Sequence, residues 1–440
     1  SREESSIVYC VQDNAAKTIG STSAAGKMSP RRLLSTTIGD QLKLSSNLRS
    51  KVIGIALKDR GAILPAGYLA DGAYWYDKNN GLFVTSDFYK KDQLPAWANQ
   101  FNNKKLADRY LNQVWNPLLS MKEYDESLPD DKLAEKPLSK GGKAVFPYNL
   151  QELKKQLGYE LLNYTPFGNS ITFEMAKAAI EGEKLGADNF TDLLAVSFST
   201  PDYAGHQFGP YSVEIQDIYV RLDRELGEFL DYIDKQVGIK NTLIFITADH
   251  GAADPPALIM PPAGFFDEGK FEKDLRAHLL SRFGQDPIES IINENIYFKR
   301  NINLDRYKLY NEATNFILTN PAVESVIDVT IFSNCMSDLT ICNKIKKGFN
   351  SPRSGDLIVV TKPGWISDWS QPGGTTHGSY YDYDTHVPLI FYGYGISGKK
   401  DYSLIHIEDI APTVSNILHI TSPSGTTGKI IEGVLNIMTN

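Results

Sequence analysis

Thr242-Leu-Ile-Phe-Ile-Thr-Ala-Asp-His-Gly251 decides the fold: an unbroken apolar and β-branched run, then a carboxylate, an imidazole and a glycine. A run without polar alternation predicts a strand covered on both faces, as in a parallel sheet held between helices. The pattern recurs along the chain. Lys51-Val-Ile-Gly-Ile-Ala-Leu57 runs into Lys58-Asp-Arg60, and Leu193-Leu-Ala-Val-Ser-Phe-Ser199 runs into Thr200-Pro-Asp202. Asp356-Leu-Ile-Val-Val-Thr361 and Val387-Pro-Leu-Ile-Phe-Tyr392 complete the set.

Helical spacings lie between these runs. Ser29-Pro30 reads as an N-cap with proline at the first helical position, followed by Leu34, Ile38 and Leu42 at i, i+4. Ile218, Leu222, Leu226, Phe229 and Ile233 form a longer apolar stripe that Gly238 ends. A last helix is predicted to start near Glu408–Pro412 and to carry Val414, Ile417 and Leu418. Strands alternating with helices predict the α/β class: a doubly wound, mostly parallel sheet with helices on both faces and ligands at the carboxyl ends of its strands. Two stretches break the alternation and are predicted as inserted α+β regions, at about 62–150 and about 255–352. The first contains a hairpin, Ala73-Tyr-Trp-Tyr76 and Leu82-Phe-Val-Thr85 around Lys78-Asn-Asn-Gly81.

Composition narrows the function classes. The 440 residues are 42% hydrophobic and 22% charged, which excludes collagen-like, coiled-coil and wholly disordered chains. That length predicts roughly three domain-sized units, or one large α/β enzyme fold, 1–440, carrying insertions. With 45 basic against 53 acidic residues the net charge is −8, so bulk attraction to nucleic acid or an anionic membrane is not expected. Any phosphate group must then meet a local positive cluster. No apolar run reaches the roughly 20 residues a membrane helix needs. The chain opens on Ser-Arg-Glu-Glu-Ser-Ser, polar from its first residue, with no signal-peptide pattern; a processed N-terminus looks the same. Of three cysteines, Cys335 and Cys342 are close enough to close a small loop in an oxidising compartment, while three separate buried thiols fit equally well.

The acids and histidines point to a metal. Asp202 and His206 share one face if the loop after Leu193–Ser199 starts a helix. Asp249 and His250 follow the next strand, and His377 lies in Gly373-Gly-Thr-Thr-His-Gly378 before the strand at Val387. Carboxylate and imidazole without thiolate suit zinc or manganese at a catalytic site. A lone Asp-x-x-x-His or Asp-His is more often a surface pair. Convergence at the strand ends of one sheet makes a metal site the expected reading. His386 competes with His377: the flanking glycines of His377 suit a ligand loop, and the place of His386 beside a strand suits a packed or orienting role. His278, His406 and His419 are predicted to be structural. Lys58 and Arg60, at i and i+2 on extended backbone, point the same way. They fit either a solvated basic turn or, beside metals, a clamp of point charge and planar fork for phosphoryl oxygens.

With Ser199-Thr-Pro-Asp-Tyr-Ala-Gly-His-Gln-Phe-Gly-Pro210 and Ile244-Phe-Ile-Thr-Ala-Asp-His-Gly-Ala252, the chain resembles the alkaline phosphatase superfamily. Within it, the chain is similar to the PafA-type bacterial phosphate-monoester hydrolases, close relatives of the nucleotide pyrophosphatase/phosphodiesterases. Leu57–Gly67, Gly374–Gly378 and Asp409-Ile-Ala-Pro-Thr413 extend the likeness from about Val8 to the end. The resemblance implies an alkaline phosphatase-like fold and two Zn2+, one held by Asp202, His206 and His377, the other by Asp249, His250 and a further Asp. It implies that Lys58 and Arg60 bind the substrate phosphate and serve catalysis, that a phosphoryl-threonine forms on the way to inorganic phosphate, and that the substrates are small-molecule phosphate esters. It also implies a periplasmic or secreted location. In that family the remaining zinc-binding Asp and the nucleophilic Thr precede the segment resembling Val8–Val11, so both are expected upstream of residue 1, in an N-terminally truncated chain. Thr165, before Pro166, is the internal threonine placed most like a helix-terminal nucleophile and equally an ordinary N-cap. The alternatives are a phosphodiesterase/nucleotide pyrophosphatase of the same superfamily and a non-catalytic metal- and phosphate-binding pseudoenzyme. A sulfatase is not expected, since neither Cys-x-Pro-x-Arg nor Ser-x-Pro-x-Arg occurs.

Overall fold

A computed structural model describes residues 7–90, 92–132, 134–259, 263–334, 339–367, 373–396 and 398–435. The main sheet contains β1 (Thr18–Ile19), β2 (Val52–Ala56), β3 (Gly72–Asp77), β4 (Leu82–Ser86) and β5 (Leu193–Ser197), in the order β1-β4-β3-β2-β5. Its parallel part is β3-β2-β5, with Ala56 opposite both Trp75 and Ser197. β4 and β1 add on antiparallel. The 73–85 hairpin is therefore built into the main sheet. All five residues of β2 are buried, as its unbroken Val-Ile-Gly-Ile-Ala run requires. Ile55 is fully buried, and Ile55→Ala is expected to cost about 2–5 kcal/mol, read as a lowered denaturant midpoint at unchanged slope.

β6 (Leu243–Thr247) pairs antiparallel with Leu389–Gly393. The sequence predicts full cover for these apolar runs, but every residue of β5 and β6 stays partly exposed, and Ile390 and Tyr392 are exposed. Among the described residues, β5 and β6 are each hydrogen-bonded along one edge only. The run Asp356–Thr361, expected beside these core strands, belongs to a second sheet. There Leu357–Thr361 lies between Asn295–Phe298 and Val323–Asp328, antiparallel to both, with Ile288–Ile292 at the far edge. An apolar run reports burial, not which sheet buries it. This second sheet has its own core, in which Leu275, Leu279, Leu309 and Ile317 are fully buried.

The helices that matter for the site are α1 (Ile38–Ser45), α2 (Asp59–Ala66), α3 (Phe167–Glu183), α4 (Thr200–Phe208), α5 (Val213–Gln236) and α6 (Ile410–Ile417). The Ser29 cap starts only a short 3-10 turn, Pro30–Arg32; α1 begins later, at a capping box between Thr37 and Asp40. Leu34 is exposed, so the predicted stripe loses its first member. α3 and α5 cover one side of the sheet, where Ile171, Met175, Ala179 and Ile218 are buried. No helix among the described residues is long and apolar enough to cross a membrane. Cys10 is a free, exposed thiol and Cys342 is disulfide-bonded; Cys335 lies outside the described residues.

Candidate metal centre

Because β2 and β5 run parallel and in register, the loops leaving their carboxyl ends lie side by side. Lys58 is the N-cap residue of α2, and Asp202 sits in the first turn of α4. The Lys58 ammonium donates to Asp202 Oδ2. One turn further along α4, His206 holds Nε2 3.3 Å from Asp202 Oδ1. β6 delivers Asp249 and His250, whose Nε2 lies 3.5 Å from Asp202 Oδ1 and 3.5 Å from Asp249 Oδ2. His377 completes the group, with Nε2 3.2 Å from Asp202 Oδ1 and its ring stacked on that of His250 at 3.3 Å between centroids. His386 instead caps the short helix Asp382–Thr385 and is exposed.

Two of the rings are locked from behind. His206 Nδ1 lies 2.8 Å from the Thr375 carbonyl, and His250 Nδ1 lies 2.8 Å from the Gly251 carbonyl. A carbonyl only accepts, so Nδ1 carries the proton and Nε2 is the atom presented to the centre. Three Nε2 atoms and two carboxylates, without sulfur, form a donor set that fits zinc. Ligand atoms of Asp202, His206 and His377 all lie within 4.8 Å of one another. Burial opposes ionisation of Asp202. The neighbouring His206 and His377 rings, with the charge of Lys58, outweigh it and hold the carboxyl well below the usual range.

Several residues shaping this centre carry no sequence signal. Lys58 Nζ sits 4.7 Å above the Tyr203 ring. Arg60 Nη1 donates to the Tyr9 hydroxyl at 3.1 Å, and that hydroxyl donates to Asp59 Oδ1 at 2.5 Å. Tyr9 thus fixes the fork from a strand-free N-terminal segment. Asp384, 3% exposed, accepts from the Gly378 and Ser379 amides at 3.1 and 2.7 Å, and its own carbonyl accepts from the Gly251 amide at 2.7 Å. One aspartate therefore ties the His377 loop to the His250 loop. Gly374 has φ +78°, and a Cβ there would lie 2.0 Å from the His206 carbonyl oxygen, so only glycine lets the loop pass. Thr165 is fully buried and its hydroxyl donates to the Leu162 carbonyl at 3.1 Å, which assigns it to a turn rather than to the cluster. His278 pairs with Glu312 at 2.8 Å, away from the cluster. Beside His206 and His377 opens a cavity of about 440 Å³, lined also by Glu294, Trp365, Tyr380 and Tyr383.

Residues 62–380 match the type I phosphodiesterase / nucleotide pyrophosphatase family, and the chain belongs to it. The chain is 40% identical over 435 residues to alkaline phosphatase PhoV of Synechococcus elongatus, covering 97% of this chain and 78% of that protein. It is 40% identical over 443 residues to alkaline phosphatase PafA of Elizabethkingia meningoseptica, covering 99% and 81%. The crystal structure of wild-type alkaline phosphatase PafA matches the fold with a TM-score of 0.95 at 39% identity, covering 98% of this chain and 84% of that one. The alkaline phosphatase-like α/β fold expected from the motifs is thus the fold observed.

Proposed function

We propose that this protein hydrolyses small-molecule phosphate monoesters to inorganic phosphate at a two-zinc centre. The observation carrying the reading is the convergence of Lys58 and three imidazoles on Asp202, in a chain 40% identical to the alkaline phosphatases PhoV and PafA. Asp202, His206 and His377 would hold one ion, and Asp249 with His250 would contribute to the other. When bound, the zinc ions supply Lewis-acid stabilisation of charge on the attacking and departing oxygens. The chain's own residues position the phosphoryl group. Lys58 offers a compact charge and Arg60 a planar fork for the non-bridging oxygens, where charge is spread in a loose transition state. Tyr9 fixes the fork, and the Thr375 and Gly251 carbonyls keep His206 and His250 from turning away. On the family resemblance, a threonine takes the phosphoryl group first, and the protein works in the periplasm or outside the cell.

A diesterase reading draws on one feature, the aromatic wall of Trp365, Tyr380 and Tyr383 beside His377, which offers stacking faces to a nucleobase. Rates of the zinc-loaded protein on an aryl phosphate monoester and the matching diester decide between them. A monoester carries one more ionised oxygen for Lys58 to meet. Lys58→Ala is therefore expected to lower monoester hydrolysis by about a hundredfold and diester hydrolysis much less. Equal losses on both would remove the proposed role of Lys58. Faster diester turnover in the unaltered protein would replace the monoesterase reading.

A further inference from the structure

Behind the metal centre, three carboxylates converge from separate parts of the chain. Asp130 and Glu135 lie in the loop leading to Tyr148, and Glu214 is the second residue of α5. Each offers an oxygen, and these oxygens all lie within 4.8 Å of one another. Glu214 is fully buried and Glu135 is 8% exposed. Three of their six oxygens are satisfied by bonds to nearby groups. Asp130 Oδ2 accepts from the Phe146 amide at 3.2 Å, Glu135 Oε2 from the Lys132 amide at 3.0 Å, and Glu214 Oε1 from the Tyr148 hydroxyl. Two are not: Asp130 Oδ1 and Glu214 Oε2 are buried with no hydrogen-bond partner among the described residues. A buried, unpaired carboxylate oxygen is costly, and three carboxylates gathered in one dry place repel one another.

We propose that Asp130, Glu135 and Glu214 form a Ca2+ site, distinct from the zinc-type centre, that braces the wall behind it. An all-oxygen, carboxylate-rich donor set with no nitrogen or sulfur selects a hard cation. Opposed oxygens in a calcium shell are about 4.8 Å apart, from Ca–O distances of about 2.4 Å, whereas Mg2+ demands a tighter octahedron and gives up its waters reluctantly. Burial pushes Glu135 up to about 7 and Glu214 up to about 8, and the charges acting on them are other carboxylates, so a divalent cation supplies the counter-charge their surroundings lack. The same loop touches the metal centre from behind. The Ala134 carbonyl accepts from the Gly374 amide at 2.5 Å, and the Lys136 amide donates to the Gln207 carbonyl at 2.9 Å, next to His206. A cation pinning Asp130 and Glu135 to α5 would fix the surface on which the His206 and His377 segments rest.

The site is independent of the phosphatase reading, and its test needs no turnover. Tb3+ replaces Ca2+ in such sites and is excited through nearby aromatic rings. Tyr148 is bonded to Glu214, and the Trp115 ring lies 5.1 Å from that of Tyr148. In protein first saturated with zinc, Tb3+ is expected to give saturable sensitised emission that excess Ca2+ displaces. Glu214→Gln and Glu135→Gln should each weaken Tb3+ binding by at least about tenfold. Ca2+ should raise the melting temperature of the unaltered protein and not that of the variants. Absence of emission, failure of Ca2+ to compete, or unchanged affinity in either folded variant would overturn the site. Should Glu214→Gln fail to fold by circular dichroism, Glu135→Gln, whose side chain lies in a loop, decides alone.

Discussion

Asp202→Asn is expected to strip the centre of metal and to lower hydrolysis by at least about three orders of magnitude. One oxygen of this carboxylate faces the Nε2 atoms of His206, His250 and His377, and the other takes the Lys58 ammonium. An amide keeps the shape and reverses half the chemistry. Its oxygen can serve only one of the two sides, and its NH2 group then points donor hydrogens at imidazoles or at a cation. The side chain of Asp202 is only 17% exposed, so water does not readily take over the lost role. Removing one partner of a buried charge pair costs about 3–5 kcal/mol, since the other charge is left uncompensated. Zinc per chain by elemental analysis, beside the initial rate on an aryl monoester, reads both effects. Full zinc content with near-normal turnover in the variant would show that Asp202 is not the hub of the centre.

Gly374→Ala is expected to lower activity by about a hundredfold while leaving the chain folded. A Cβ at that position would meet the His206 carbonyl oxygen at 2.0 Å, on backbone with φ +78°, so the loop must move by more than an ångström or distort α4. Either movement shifts the Thr375 carbonyl that holds His206 Nδ1 and carries His377, three residues on, out of place. Gly378→Ala is the control: its φ of +121° is also strained, but a Cβ there meets nothing within 4 Å. Zinc affinity and rate should fall much further for Gly374→Ala than for Gly378→Ala. Similar losses in both would trace the effect to backbone strain and not to the packing of the loop on α4.

The parts of the centre that were legible in the sequence are those in which local geometry writes a pattern. Asp202 and His206 are one helical turn apart, Asp249 and His250 follow an apolar run, and His377 is set among glycines; the structure brings all five together with Lys58. Burial likewise writes β2 into the chain as five consecutive apolar or glycine residues. Pairing writes nothing comparable. Leu357–Thr361 has the same apolar signature as β2 and belongs to another sheet, and the 73–85 hairpin gave no sign of its parallel contact with β2. Tyr9, Asp384 and the trio of Asp130, Glu135 and Glu214 were silent for the same reason. Each depends on a partner tens of residues or more away, Arg60 for Tyr9, Gly251 for Asp384 and Glu214 for Asp130 and Glu135, and only the packed chain sets the distance between them.

Asp384 gathers its own loop, before Leu389–Gly393, through the Gly378 and Ser379 amides and ties it to the loop after β6 through the Gly251 amide. Neither loop can lift away without releasing the hold on the other. Their excursions from the native state are therefore not two independent breathing motions but one concerted opening with a single free energy. The imidazoles of His250 and His377, stacked across that clamp, leave and return together.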